Sequence, residues 1–170
     1  MERMRNVSLI GMPGSGKSTV GVLLAKELGF SFVDTDLLIQ RQEGGLLQAV
    51  LDRLGTERFL DTEAEVIASL DCQRTVIAPG GSVVLRDLGA RHLKELGPVL
   101  YLSLPCPVLE KRLGNLATRG VTLAPGQTLQ DLYNYRAPFY ARYADITINA
   151  DQPTIEDTVA LAVKALREHF

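Results

Sequence analysis

Eight consecutive residues, Gly11-Met12-Pro13-Gly14-Ser15-Gly16-Lys17-Ser18, carry the clearest chemistry in this chain. They read G-x-x-x-x-G-K-S, a loop whose backbone N–H groups turn inward around the phosphates of a nucleoside triphosphate. Gly11, Gly14, Ser15, Gly16 and the following Thr19 are expected against the phosphates. Lys17 is expected to reach the β- and γ-phosphates, with the Ser18 hydroxyl on Mg²⁺. Such a loop needs a strand before it and a helix after it, whose N-terminal dipole favours anions. Both are present. Val7, Leu9 and Ile10 precede the loop, and Val20, Leu23, Leu24 and Leu28 follow at helical spacing.

A second group of candidates follows the next β-like run. Asp34 and Asp36 lie where a strand gives way to a helix, at the sheet edge that should also carry the phosphate loop. Two acids beside a triphosphate can divide the labour. One orients Mg²⁺ and its waters, and the other accepts a hydrogen bond and then a proton from an attacking hydroxyl. The alternative makes Asp34 a helix cap and Asp36 a first-turn acid. Pro79-Gly80-Gly81-Ser82 is a glycine turn that lets a ligand approach the backbone, or a plain strand-to-helix connection. Arg119 sits in an irregular stretch over 114–127, a candidate lid. Arg112 lies just before that stretch, within reach of the nucleotide. Arg136 shares a later helix with several tyrosines, and its guanidinium suits a phosphate or carboxylate.

The elements that must position these groups are legible from periodicity. Strands are expected over 7–10, 31–33, 75–78, 99–103 and 145–148. Helices are expected over 17–28, 35–43, 46–54, 57–70, 87–96, 107–113, 129–143 and 154–169. Strands alternating with helices imply one α/β domain, a parallel sheet covered on both faces in three layers.

The 170 residues, with 46% hydrophobic and 22% charged, fit one such domain. A net charge of −2 without a long basic run argues against nucleic acid as a partner. No apolar leader or membrane-length span is evident, and the isolated Cys72 and Cys106 fit a reducing cytoplasm. The absence of an N-K-x-D signature argues against a GTPase switch.

In motif order, the chain resembles the shikimate kinases, P-loop proteins similar to the nucleoside-monophosphate kinases. The residues that carry the resemblance are the phosphate loop, Asp34-Thr35-Asp36 for D-x-D, Phe59 and Glu63 for part of F-R-x-x-E, and Gly80-Gly81 for part of G-G-G. Arg119 stands for the lid arginine, and Arg136-Ala137-Pro138-Phe139-Tyr140 for R-x-P-L-Y. The resemblance implies a five-stranded parallel sheet in the order 2-3-1-4-5, an acceptor-binding region over about 35–62 and a lid over about 114–127. It implies ATP with Mg²⁺, a small hydroxy-acid acceptor and a monomer. It assigns Asp34 to the metal, Asp36 to the reacting hydroxyl, Arg136 to the acceptor carboxylate and Arg119 to the transferring phosphates. Phe59, Gly80 and Gly81 fall at the acceptor.

The departures fall on the acceptor side. Leu60 stands where the pattern has a second carboxylate-binding arginine. Arg58, two positions earlier, points about 200° away on a helix. Ser82 replaces the third glycine, and Pro79 replaces a small polar residue. The expected reaction is therefore ATP-dependent phosphorylation of a hydroxyl on a small metabolite, with shikimate the leading acceptor. Homoserine or a sugar acid is the nearest alternative. A regulatory nucleotide-binding module is the alternative of another class, against which Asp36 and Arg119 together argue.

Overall fold

The computed structural model of the chain describes residues 6–114 and 123–169. Strands β1 (Asn6–Ile10), β2 (Ser31–Asp34), β3 (Thr75–Ala78), β4 (Val99–Ser103) and β5 (Ile146–Asn149) form one parallel sheet in the order β2-β3-β1-β4-β5. That is the order the resemblance implies. The interior strands β1 and β3 are buried at every residue and β4 at all but its last, so apolar residues dominate them, with Asn6, Ser8 and Thr75 as buried polar exceptions. The edge strands β2 and β5 are partly exposed.

The helices are α1 (Lys17–Leu28), α2 (Thr35–Glu43), α3 (Leu47–Leu54), α4 (Thr56–Ala68), α5 (Asp87–Leu96), α6 (Cys106–Leu113), α7 (Leu129–Tyr143) and α8 (Ile155–His169). Expected boundaries hold to within one or two residues. Among the described residues, the short 3-10 turn Val83–Leu85 is not expected from the sequence, being too short to show a periodicity. The expected lid over 114–127, with Arg119, falls mostly on 115–122, outside the described residues. Among the described residues, no helix is long and apolar enough to cross a membrane.

The chain leaves β1 for β2 on one side of the sheet and later reaches β4 on the other. Order therefore reverses at β1, where open parallel sheets leave a crevice at their carboxyl ends. The main core lies on both sheet faces and includes Leu9, Ile10, Leu24, Ile77, Leu100 and Leu102. A smaller apolar cluster, Ile39, Val50, Leu51, Phe59, Leu60 and Val66, joins α2, α3 and α4. Burying each such side chain contributes roughly 1.5–3 kcal/mol. This second cluster underlies the region over about 35–62 expected to bind the acceptor.

Asn6 fastens the start of β1. Its amide nitrogen donates to the carbonyls of Cys72 (2.8 Å) and Leu96 (3.2 Å), and its amide oxygen accepts from Thr75 N–H (3.1 Å). Gly97 packs directly on this residue, and a Cβ there would lie 2.1 Å from the Asn6 carbonyl oxygen. The clash is with backbone, which cannot swing aside. Gly97→Ala should destabilise the fold by about 3 kcal/mol, the upper end of overpacking costs. Gly45→Ala, whose new Cβ would meet nothing nearer than 4.0 Å, should change stability by less than about 0.5 kcal/mol. Urea unfolding midpoints compare the two.

Candidate active site

The phosphate loop has the backbone the sequence requires. Gly11, Gly14 and Gly16 have φ of +152°, +80° and +93°, which L side chains rarely adopt. A Cβ on Gly11 would lie 2.9 Å from the Leu102 carbonyl oxygen. Ser15 is buried, and its hydroxyl has no hydrogen-bond partner. Thr19 is exposed on the wall of the crevice. Arg112 reaches across from α6 to the Gly14 carbonyl at 3.5 Å, so it faces the loop as expected. Lys17 bends back over its own loop, donating to the carbonyls of Gly11 (2.8 Å) and Met12 (2.9 Å). Burial lowers its pKa to about 8, and the nearby Asp36 carboxylate opposes that shift.

Asp34 caps the helix, one of the two expected roles, and also meets Ser18. Its Oδ1 accepts from Asp36 N–H at 2.9 Å and caps α2, while its Oδ2 accepts from the Ser18 hydroxyl at 3.1 Å. Among the described residues, no group of three or more His, Cys, Asp or Glu could hold a metal ion. Mg²⁺ in phosphoryl-transfer sites takes one or two protein oxygens and keeps water and phosphate for the rest. The Ser18–Asp34 pair fits that donor set. Asp36, a turn further into the crevice, has a buried Oδ1 with no partner. Burial, with the Asp34 charge adding to it, raises its pKa to about 6.

The glycine turn closes the other wall. The crevice is about 290 Å³ and is lined by Lys17, Asp36, Phe59, Gly80, Gly81 and Arg136 among others. A Cβ on Gly80 would come within 2.7 Å of Glu63 Oε2 and 3.0 Å of Asp36 Oδ1. One on Gly81 would meet Pro13 at 2.8 Å and Arg136 Nη1 at 3.2 Å. Glycine is needed here by close approach, not by backbone twist. Arg136 is 5% exposed with its Nε unpartnered, and Phe59 packs beneath the crevice. Of the expected site residues within the described segments, Gly14, Gly16, Lys17, Ser18, Thr19, Asp36, Phe59, Gly80, Gly81 and Arg136 line this crevice, Asp34 and Arg112 contact its Ser18 and Gly14, and Gly11 and Ser15 are buried in the loop. Arg119 lies outside those segments.

Three residues were not singled out as site residues. Glu63 is 1% exposed, and its Oε1 accepts from the Ser82 hydroxyl at 2.7 Å. The Tyr140 hydroxyl donates to the Gly81 carbonyl at 2.6 Å and lies 3.8 Å from Met12 Sδ, while its ring stacks on Tyr101. Besides its place in the F-R-x-x-E match, Glu63 is marked in the sequence as an acid set among Phe59, Leu60, Ala64 and Ile67 on the apolar face of α4. Leu60 lies in the small apolar cluster and on the wall of a second cavity of about 500 Å³, which also meets Arg136. Arg58 is exposed, as its spacing predicts.

Burial raises the Glu63 pKa from 4.5 to about 7. An acid raised on folding contributes stability in its neutral form, fully present below its unfolded pKa and lost as pH rises through the folded value. Glu63→Gln removes that titration. Its Tm relative to the parent should be more favourable at pH 8 than at pH 5, as read from thermal unfolding at the two pH values.

Known proteins agree with this geometry. The family model for shikimate kinase matches residues 13–167. A shikimate kinase of Thermodesulfovibrio yellowstonii is 36% identical over 164 residues, 95% of this chain and 94% of that one. One from Pseudomonas fluorescens is 38% identical over 152 residues, 88% of each chain. Among solved structures, shikimate kinase from Acinetobacter baumannii in complex with shikimate aligns with a TM-score of 0.89 at 30% identity, covering 98% of this chain and 95% of that one. Agreement over nearly the whole length, in sequence and in fold, makes this chain a member of the shikimate kinase family of small-molecule kinases.

Proposed function

We propose that this protein transfers the γ-phosphoryl group of ATP to a hydroxyl of shikimate, giving shikimate 3-phosphate. The observation that carries this reading is the pairing, in one crevice with Lys17, of an unpartnered Asp36 oxygen and a buried Arg136 guanidinium. The first suits a reacting hydroxyl and the second a carboxylate, which together describe a hydroxy acid. When bound, ATP with Mg²⁺ supplies the transferable phosphoryl group and neutralises part of its charge.

The chain's own residues do the rest. Ser18 and Asp34 hold the Mg²⁺. Gly11, Gly14, Ser15, Gly16 and Thr19 surround the phosphates, and Arg112 borders the nucleotide. Lys17 exchanges its carbonyl partners for phosphate oxygens. Arg119, beyond the described residues, is assigned to the transferring phosphates from a lid over 114–127. Asp36 accepts the hydrogen of the acceptor hydroxyl and takes its proton as the new O–P bond forms. With a pKa of about 6 it is ionised at neutral pH and near enough to neutrality to act as a base. Arg136 forks the acceptor carboxylate, while Phe59, in an acceptor region over about 35–62, and Gly80 and Gly81 beyond it shape the wall. One chain supplies all these groups, which accords with a protein that works as a monomer. Its free Cys72 and Cys106 thiols accord with a place in the cytoplasm.

Asp36→Asn should lose about 10²–10⁴-fold in kcat while ATP affinity, measured by calorimetry, stays within a few-fold of the parent. Lost nucleotide affinity with kcat preserved would instead move Asp36 to the metal.

Leu60 supports a second reading, an acceptor other than shikimate, because an apolar wall stands beside Arg136 where the family pattern has arginine. With shikimate as the acceptor, Leu60→Arg should lower its KM by up to about tenfold, the value of one good charged hydrogen bond. With another hydroxy acid, the parent would use shikimate poorly and the new guanidinium would be a buried charge without a partner. Values of kcat/KM for parent and variant over a panel of hydroxy acids separate the two.

A further inference from the structure

Glu63 is buried in the same crevice, and the proposed reaction gives it no task. Its Oε1 accepts from the Ser82 hydroxyl at 2.7 Å, and its Oε2 has no partner. The ionisable groups facing it are Lys17 from α1, Asp36 from α2, and Arg136 and Tyr140 from α7. Among the described residues it belongs to no ion pair. Ser82 is thus its one direct donor there.

Glu63 Oε2 and Asp36 Oδ1 converge. Both lie within 3.0 Å of the point where a Gly80 Cβ would be. A protonated Glu63 would donate toward Asp36 and occupy the oxygen the acceptor hydroxyl needs. An ionised Glu63 leaves that oxygen open. A hydroxyl donating to a carboxylate favours the ionised form.

The geometry points to Ser82 as a positioning residue of the acceptor site: its hydroxyl favours the ionised form of Glu63 and thereby helps leave Asp36 Oδ1 free for the acceptor hydroxyl. The third glycine of the family pattern has no donor to offer at this position. Burial holds the Glu63 pKa near 7, with Ser82 the largest influence lowering it. The hydroxyl therefore shifts the charge balance of Glu63 within the neutral pH range.

The test is a ¹³C NMR titration of protein labelled at glutamate side-chain carboxyls, with Glu63 assigned from the spectrum of Glu63→Gln. It needs no substrate. The Glu63 midpoint should rise by about one pH unit in Ser82→Ala, the scale of one hydrogen bond to a charged group. It should stay in place in Ser82→Thr. Ser82→Gly gives the same rise without adding bulk and serves if the alanine variant fails to fold. A midpoint unchanged by loss of the hydroxyl overturns the inference. The kinetic arm rests on the proposed function. The acid limb of kcat/KM for shikimate at saturating ATP should move up by the same amount in Ser82→Ala and should not move in a Glu63→Gln background. An equal shift in that background also overturns the inference. A parent inactive on shikimate overturns the proposed acceptor instead, because the titration does not depend on it.

Discussion

Two cations and two anions share one small crevice: Lys17, Arg136, Asp36 and Glu63. Removing any one of them from water is costly, and their opposite charges offset part of that cost. The strain of this arrangement shows in the pKa directions, with the lysine lowered and both acids raised, burial being the leading cause each time. Much of the local structure answers to it. Gly80 and Gly81 lack side chains because carboxylate oxygens and a guanidinium stand where a Cβ would be. The bent pose of Lys17 gives its ammonium two carbonyl partners. The crevice is thus a charged site closed by packing, whose lysine and arginine suit anionic ligands.

The sheet brings these charges together from positions far apart in sequence. β1 ends at the phosphate loop, β2 at Asp34 and β3 at the glycine turn, and all three point the same way because every pairing is parallel. Arg136 comes from α7 and Glu63 from α4. The small apolar cluster beneath Phe59 and Leu60 supports the acceptor wall separately from the main core. Substitutions in it can reshape acceptor recognition while leaving the phosphate loop intact.

The phosphate loop, the strand ends and the alternation of strands and helices were legible because each is a local pattern with a fixed physical requirement. The strand order came from resemblance, since periodicity says nothing of lateral order. Asp34 shows the limit of choosing between roles, because one carboxylate has two oxygens and here uses one as a cap and the other beside Ser18. Glu63, Ser82 and Tyr140 are visible in the motifs, but their pairings are not, for a different reason. Their partners lie 19 residues away for Ser82 with Glu63, and 59 for Tyr140 with Gly81. No short-range pattern encodes such pairs. Leu60 is conspicuous only against the family pattern, because by itself it is an ordinary apolar residue on a half-buried helix.

The Tyr140 hydroxyl joins the Gly81 turn to the helix that carries Arg136, and Pro13 of the phosphate loop lies against the same turn. Donor cradle and carboxylate anchor are therefore fastened into one stiff frame before any ligand arrives. The entropy of aligning them is lost during folding and not again at each encounter, so more of the binding energy remains for bringing the reacting atoms together. A phosphate donor and a carboxylate acceptor of the right span meet a gauge of fixed length, and molecules too short or too long fail to engage both ends at once.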